Sequence, residues 1–207
     1  MSETRRKSRR KNAKRRKKHP VRNFIVLLSV AAVIACTMYF TISNLGNARN
    51  MLEETAYPIK YSEQVEAAAQ KYNLKREYIY AVMHTESRFN PNAESRVGAK
   101  GLMQLMPDTF DWLARMRGET VSPSSYTDPD LNIDYGCYFL RYLIDKFGSE
   151  ETAAAAYNAG FNNVSKWLKD PNISPDGKTL TNIPFPETEK YVKKVDYAEK
   201  MYKKLYF

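Results

Sequence analysis

The 207-residue chain carries 33 Lys/Arg against 23 Asp/Glu, a formal charge of +10, at a length suited to one medium domain with accessory segments. Residues 1–22 hold twelve of the basic side chains and one acid, Glu3, so the other 185 residues carry 21 basic and 22 acidic groups, a net of −1. A basic nucleic-acid-binding domain is thereby excluded, because the excess belongs to a tail. With only Cys36, inside an apolar run, and Cys137, no intrachain disulfide is expected, and the fold must rest on its core.

Residues 1–22 read as a basic cytoplasmic tail that sets topology and touches anionic membrane lipid. No aromatic residue interleaves its charges, so a nucleic-acid partner is not expected. Residues 23–43 read as one transmembrane helix. The stretch from Phe24 to Ile42 has no charge and spans roughly 28 Å as a helix, about the thickness of a bilayer core. The preceding cations place the N-terminus inside and the remainder outside, which predicts a single-pass protein of the cell membrane with an extracytoplasmic domain. Two rivals are a cleaved signal peptide and a lipoprotein processed at the Val33-Ile34-Ala35-Cys36 box. Residues 44–60 lack a sustained apolar period and read as a stalk, with Pro58 ending any helix that enters it.

From residue 61 to 207 the pattern is helical throughout. Ser62 is expected to cap a helix with Val65, Ala68, Ala69 and Tyr72 inward. A second helix is predicted from about Arg76 to Ser87 and a third from about Asp108 to Met116, followed by a Ser/Pro/Asp-rich loop over 118–130. Leu131 to Phe147 carries two apolar stripes, which predicts the central helix, with Gly136 allowing a neighbour to approach closely. Short helices over Glu150–Asn158 and Asn162–Lys169 precede a loop or small hairpin around Asp176-Gly177. A last helix from about Glu187 turns Val192, Val195, Ala198, Tyr202 and Leu205 inward and its lysines outward. The fold class is all-α.

No His/Cys spacing in the chain suits a metal, so neither a metal site nor a cofactor is expected. Cys137, among aromatics in mid-helix, reads as an inert buried thiol. Glu86 is the anomaly. Ile79, Val82, Met83 and Glu86 fall at i, i+3, i+4 and i+7, one face of a helix on which three positions are apolar. A carboxyl there is desolvated and lies near the negative end of the helix dipole; both effects raise its pKa. A glutamic acid that stays protonated near neutral pH suits general-acid chemistry, of the kind glycosidic cleavage requires.

Four groups of residues then carry a family resemblance. Glu86-Ser87, Gly101-Leu102-Met103-Gln104, Ala156-Tyr157-Asn158-Ala159-Gly160, and Ile183-Pro184-Phe185 with Glu187-Thr188 and Tyr191-Val192 resemble the successive motifs of the soluble lytic transglycosylases, relatives of goose-type lysozymes. The likeness runs from about Tyr61 to Tyr202. It implies a lysozyme-like helical domain with a glycan cleft, acting on peptidoglycan glycan strands. It also implies that Glu86 is the sole catalytic acid and base, cleaving between N-acetylmuramic acid and N-acetylglucosamine and leaving a 1,6-anhydromuramyl product. Ser87, Ser95, Gln104, Met106, Tyr157, Asn158, Glu187 and Tyr191 are implied to line the cleft or contact substrate. Alternatives on the same scaffold are a hydrolytic muramidase and a catalytically silent glycan-binding protein. Glu187 also has a simpler reading, as a carboxylate favoured at a helix N-terminus.

Overall fold

The computed structural model describes residues 20–207; the expected basic tail lies almost wholly in residues 1–19, outside the described residues. The first helix, α1 (Pro20–Ala56), runs 37 residues. Its large apolar side chains from Val21 to Leu52 are exposed wherever they are described, and over Leu27–Ala56 it has the length and composition to cross a membrane. It also continues through residues 44–56, where the sequence predicts a stalk. Extending an existing helix adds one hydrogen bond per residue with no new nucleus, and only Gly46 opposes it there. The helix stops two residues short of Pro58, as that proline requires.

The chain divides into two compact units, one ending at Met51 and the other Leu52–Phe207. In the second unit the helices that follow are α2 (Ser62–Tyr72), α3 (Arg76–Ser87), α4 (Pro107–Arg117), α5 (Pro129–Phe147), α6 (Glu150–Ala159), α7 (Phe161–Trp167) and α8 (Pro186–Tyr206). One short 3-10 turn lies at Pro123–Ser125. No β-strand occurs among the described residues, only isolated bridges joining Glu94 to Lys100 and Lys100 to Leu105. The all-α expectation therefore holds. Ser62 does not cap α2: the cap position is Tyr61, with left-handed backbone and no side-chain bond, and Ser62 is the first helical residue.

The structure covers α5 closely over residues 131–144, where no side chain is exposed, and it covers α3 as well. Every residue from Tyr78 to Met83 is buried, so all sides of this helix are covered. Its sequence gave little sign of this, because the hydroxyls of Tyr78 and Tyr80 disguise an apolar run. The α8 helix packs along α3 through Val192, Val195, Ala198 and Tyr202. Tyrosines of α8 also hold the segment after α1, the Tyr206 hydroxyl donating to the Tyr57 carbonyl at 2.8 Å and Tyr202 to that of Pro58 at 3.2 Å. His84 Nε2 lies 3.1 Å from the Ala56 carbonyl.

The segment from Ala93 to Met106, between α3 and α4, is pressed against α5. A Cβ on Gly136 would lie 2.3 Å from the Met103 sulfur, so the close approach expected at Gly136 is occupied by that methionine. Gly101 has φ +78°, and a Cβ there would lie 2.4 Å from Asn132 Nδ2. Two glycines thus let the loop and α5 meet with nothing between them. Cys137 is completely buried and burial pushes its thiol pKa up; it and Cys36 are both free.

Candidate active site

Glu86 sits in the last turn of α3, where four segments meet. Each junction is one side-chain hydrogen bond. The Ser87 hydroxyl donates to the Leu102 carbonyl at 2.7 Å, joining α3 to the loop. The Tyr157 hydroxyl donates to the Met103 carbonyl at 2.6 Å, joining α6 to the loop. The Thr188 hydroxyl donates to Asn158 Oδ1 at 2.8 Å, joining α8 to α6. The Tyr191 hydroxyl donates to Glu86 Oε1 at 2.6 Å and closes the ring back onto α3. The paired residues Glu86-Ser87, Leu102-Met103 and Tyr157-Asn158 each face two neighbours in this circuit. That geometry gives a physical reason for the motifs singled out in the sequence.

The electrostatics follow from enclosure. Glu86 keeps partial exposure, yet is surrounded closely enough that desolvation pushes its pKa from 4.5 up to about 7. The bond from Tyr191 opposes that rise by favouring the carboxylate, and no charged side chain among the described residues contributes. Tyr191 and Tyr157 are themselves held well above their ordinary pKa by burial first and by the nearby Glu86 charge second. Both remain neutral hydroxyls throughout the physiological range. A single carboxyl poised at neutrality, with one phenol fixing its orientation, can give a proton and take one back.

Tyr191→Phe separates these effects. Without the phenol, desolvation acts unopposed and the Glu86 pKa moves further up, so the alkaline limb of the pH–rate profile shifts to higher pH while the maximal rate falls. A rate profile over pH 5 to 9 tests this; an alkaline limb that stays in place or moves to lower pH contradicts it.

The other residues singled out in the sequence occupy varied places. Met106 is exposed, at 39% of its full surface, and so is available to a ligand. Gln104 has φ +49°, and its Nε2 donates to the carbonyls of Ala93 at 3.0 Å and Gly101 at 2.9 Å, so this amide braces the loop. The Ser95 hydroxyl accepts from the Ala99 N–H at 2.9 Å and shapes the turn before Gly98. Asn158 is exposed, and its amide nitrogen has no partner among the described residues. Glu187 is exposed in the first turn of α8, where a carboxylate meets the positive end of the dipole. Ser87 has its hydroxyl engaged within the fold, also lying 3.3 Å from the Met83 carbonyl.

Two further residues support the ring: Asn132, which the sequence reading did not single out, and Thr188, which it placed in the fourth motif without a role. Asn132, fully buried in α5, accepts from the Met103 N–H at 2.7 Å and donates to the carbonyls of Lys100 at 3.0 Å and Tyr126 at 2.7 Å. Thr188, 2% exposed, holds the Asn158 amide. A polar residue on the buried stripe of α5 was the available signal for Asn132. Thr188 stood in the fourth motif, but its partner Asn158 could not be read from the sequence.

Residues 63–179 match the Transglycosylase SLT domain family. The chain is 35% identical over 172 residues to the soluble lytic murein transglycosylase of Escherichia coli (strain K12), covering 81% of this chain and 25% of that protein. It is 34% identical over 182 residues to the membrane-bound lytic murein transglycosylase C of Pectobacterium atrosepticum, covering 75% and 49% respectively. Among solved structures, the 70 kDa soluble lytic transglycosylase of Escherichia coli superposes with a TM-score of 0.66 at 32% identity, over 73% of this chain and 25% of that one. An inactive glutamate-to-glutamine mutant of lytic transglycosylase Slt from Pseudomonas aeruginosa gives 0.62 at 34% identity, over 72% and 25%. The chain thus spans a quarter to a half of the length of these relatives. The Tyr191 junction lies beyond the matched residues, yet it completes the ring that the matched motifs begin. On the family match over residues 63–179 and the shared helical fold, the chain belongs to the transglycosylase SLT domain family.

Proposed function

We propose that this protein is a membrane-anchored peptidoglycan lytic transglycosylase that cleaves the β-1,4 bond between N-acetylmuramic acid and N-acetylglucosamine. The observation that carries the reading is the state of Glu86: a lone carboxyl raised to about 7 by desolvation, touched by a neutral phenol and influenced by no second carboxylate among the described residues. Glycosidases that activate water ordinarily pair two carboxylates. One group suffices when the nucleophile is the sugar itself. Glu86 in its acid form protonates the oxygen leaving N-acetylmuramic acid as the glycosidic bond breaks. The resulting carboxylate then takes the proton from that sugar's 6-hydroxyl as its oxygen bonds to C1, closing the 1,6-anhydro ring and regenerating the acid. The attack is intramolecular, so proximity supplies much of the acceleration.

In this reading Met106, Asn158 and Glu187 offer exposed side chains to the glycan. Ser87, Ser95, Gln104 and Tyr157 hold the walls of the cleft and present their remaining faces to it, and Tyr191 orients the acid. The apolar part of α1 spans the membrane once, with the basic tail cytoplasmic and the catalytic domain facing the wall. Membrane-bound relatives and the exposed apolar surface of α1 support this placement. No cofactor takes part in the chemistry.

The product decides between the possible outcomes. Digestion of purified peptidoglycan followed by mass spectrometry of the fragments is expected to yield anhydromuramyl ends. Reducing ends alone would mean that water is the acceptor and the protein a muramidase. An unchanged glycan would mean that the fold only binds.

A further inference from the structure

We infer that the cavity between α3 and α8, on the side of α3 away from Glu86, is a binding site for a phosphodiester anion. It encloses about 320 Å³ and is lined by Tyr57, His84, Thr85, Arg88, Lys193, Lys194, Tyr197 and Ala198. On a helix turning about 100° per residue, His84 and Arg88 share a face, and Glu86 between them points about 160–200° away. The cavity is therefore separate from the hydrogen-bonded ring around Glu86, and the inference stands whether or not Glu86 cleaves glycan.

The charge of this cavity sets it apart. Three cations line it and no acid does, although the chain beyond residue 22 is close to neutral. The cavities of about 430 and 380 Å³ elsewhere on the domain show the opposite balance. The first is lined by Glu150, Glu151, Asp196 and Glu199 with Lys193, which borders both this cavity and the basic one, and the second by Glu63, Asp130 and Asp134 with Lys71. Lys193 is partnered at the rim by Glu189 at 2.5 Å. Arg88 and Lys194 form no ion pair among the described residues, so a positive field in a concave site goes uncompensated. Arg88 moreover caps α3 with φ 50°, a left-handed conformation that glycine or asparagine adopts with less strain. The chain keeps a guanidinium at a place where a smaller residue would serve the backbone better.

The donor set fits a tetrahedral anion. The guanidinium and the two ammonium groups can share the two unesterified oxygens of a diester, and the Thr85 hydroxyl can donate to one of the ester oxygens. The wall is aromatic: the Tyr57 ring lies 4.8 Å from that of His84 and 6.4 Å from that of Tyr197, which is 59% exposed. Such a wall packs the carbon chain on either side of a diester. Burial holds the His84 pKa down, so near neutral pH the imidazole supplies hydrogen-bonding atoms and little charge.

Residue-resolved lysine acylation, read by mass spectrometry on the full chain in detergent, tests the site without interference from the basic tail. One arm adds a soluble glycerol phosphate oligomer. The second replaces detergent by nanodiscs of phosphatidylglycerol or phosphatidylcholine. The expected result is that Lys193 and Lys194 are acylated more slowly by about fivefold while Lys203, exposed on the same helix, is unaffected, and that Arg88→Asn removes the protection. Asparagine tolerates the left-handed backbone, so this variant removes the charge and keeps the cap. Protection by the oligomer alone identifies a soluble polymer as the source of the phosphate; protection in phosphatidylglycerol discs alone identifies a lipid headgroup. Absence of protection in both arms, equal slowing at Lys203, or full protection in Arg88→Asn overturns the site.

Discussion

Glu86→Gln lowers the rate of glycan cleavage by about a thousandfold or more, because the amide can neither give nor take the proton at the reacting oxygens. The change is close to isosteric and the Tyr191 hydroxyl keeps an acceptor, so the fold is retained and glycan binding survives. The same variant is expected to be more stable than the parent at alkaline pH. Glu86 has a folded pKa of about 7 against an ordinary 4.5. The folded state therefore binds more protons than the unfolded state between these values, and stability falls as pH rises from about 4.5 through 7. Above pH 8 the parent carries a penalty of about 3 kcal/mol that glutamine does not. Below pH 4 both states of the parent are protonated and the difference vanishes. Denaturant melts of both proteins at pH 4 and pH 8 measure it; a constant difference across pH would mean that Glu86 is not desolvated.

The second large effect is structural and falls on a residue outside the chemistry. Asn132→Leu removes three hydrogen bonds in a fully buried position and leaves the Met103 N–H and two carbonyls without those partners. Each unsatisfied group costs about 1–3 kcal/mol when no water reaches it, so a loss on the order of 4 kcal/mol is expected after relaxation. That corresponds to a drop in melting temperature of roughly 10 °C or more for a domain of this size. Asn132→Asp is also destabilising, since a carboxylate cannot donate to the Lys100 and Tyr126 carbonyls. Activity should fall further than unfolding explains, because Met103 is held on one side by Asn132 and on the other by Tyr157. Calorimetric melting with activity measured well below the transition separates the two; a variant that melts like the parent contradicts the role given to Asn132.

Much of the helical framework was legible in the sequence because its causes are short-range. The start and end of α3, the glycine stop of α5 and the start of α8 near Glu187 depend on residues within one or two turns of each boundary. The burial of Glu86 could be read from four positions on one face. Other features were not legible. The extension of α1 to Ala56 reflects cooperative propagation, which leaves no apolar period. The burial of α3 on all sides was masked by tyrosines, whose rings are buried although their hydroxyls count as polar. Ser62 looked like a cap and is not one, since the preceding Tyr61 takes the boundary position.

By itself the sequence determined an all-α domain behind an apolar N-terminal helix and a carboxyl out of place on an apolar helix face. It also determined four motifs in the order of one family. These depend on periodicity, composition and local spacing, which are properties of neighbours along the chain. Only the tertiary structure decided what those motifs do to one another. Glu86 and Tyr191 are 105 residues apart and share a 2.6 Å hydrogen bond. Ser87 meets Leu102, Tyr157 meets Met103 and Thr188 meets Asn158 because α3, α6, α8 and the Ala93–Met106 loop converge. The pKa near 7 belongs to that convergence too, since desolvation is set by what surrounds a carboxyl in space and not by its neighbours in the chain.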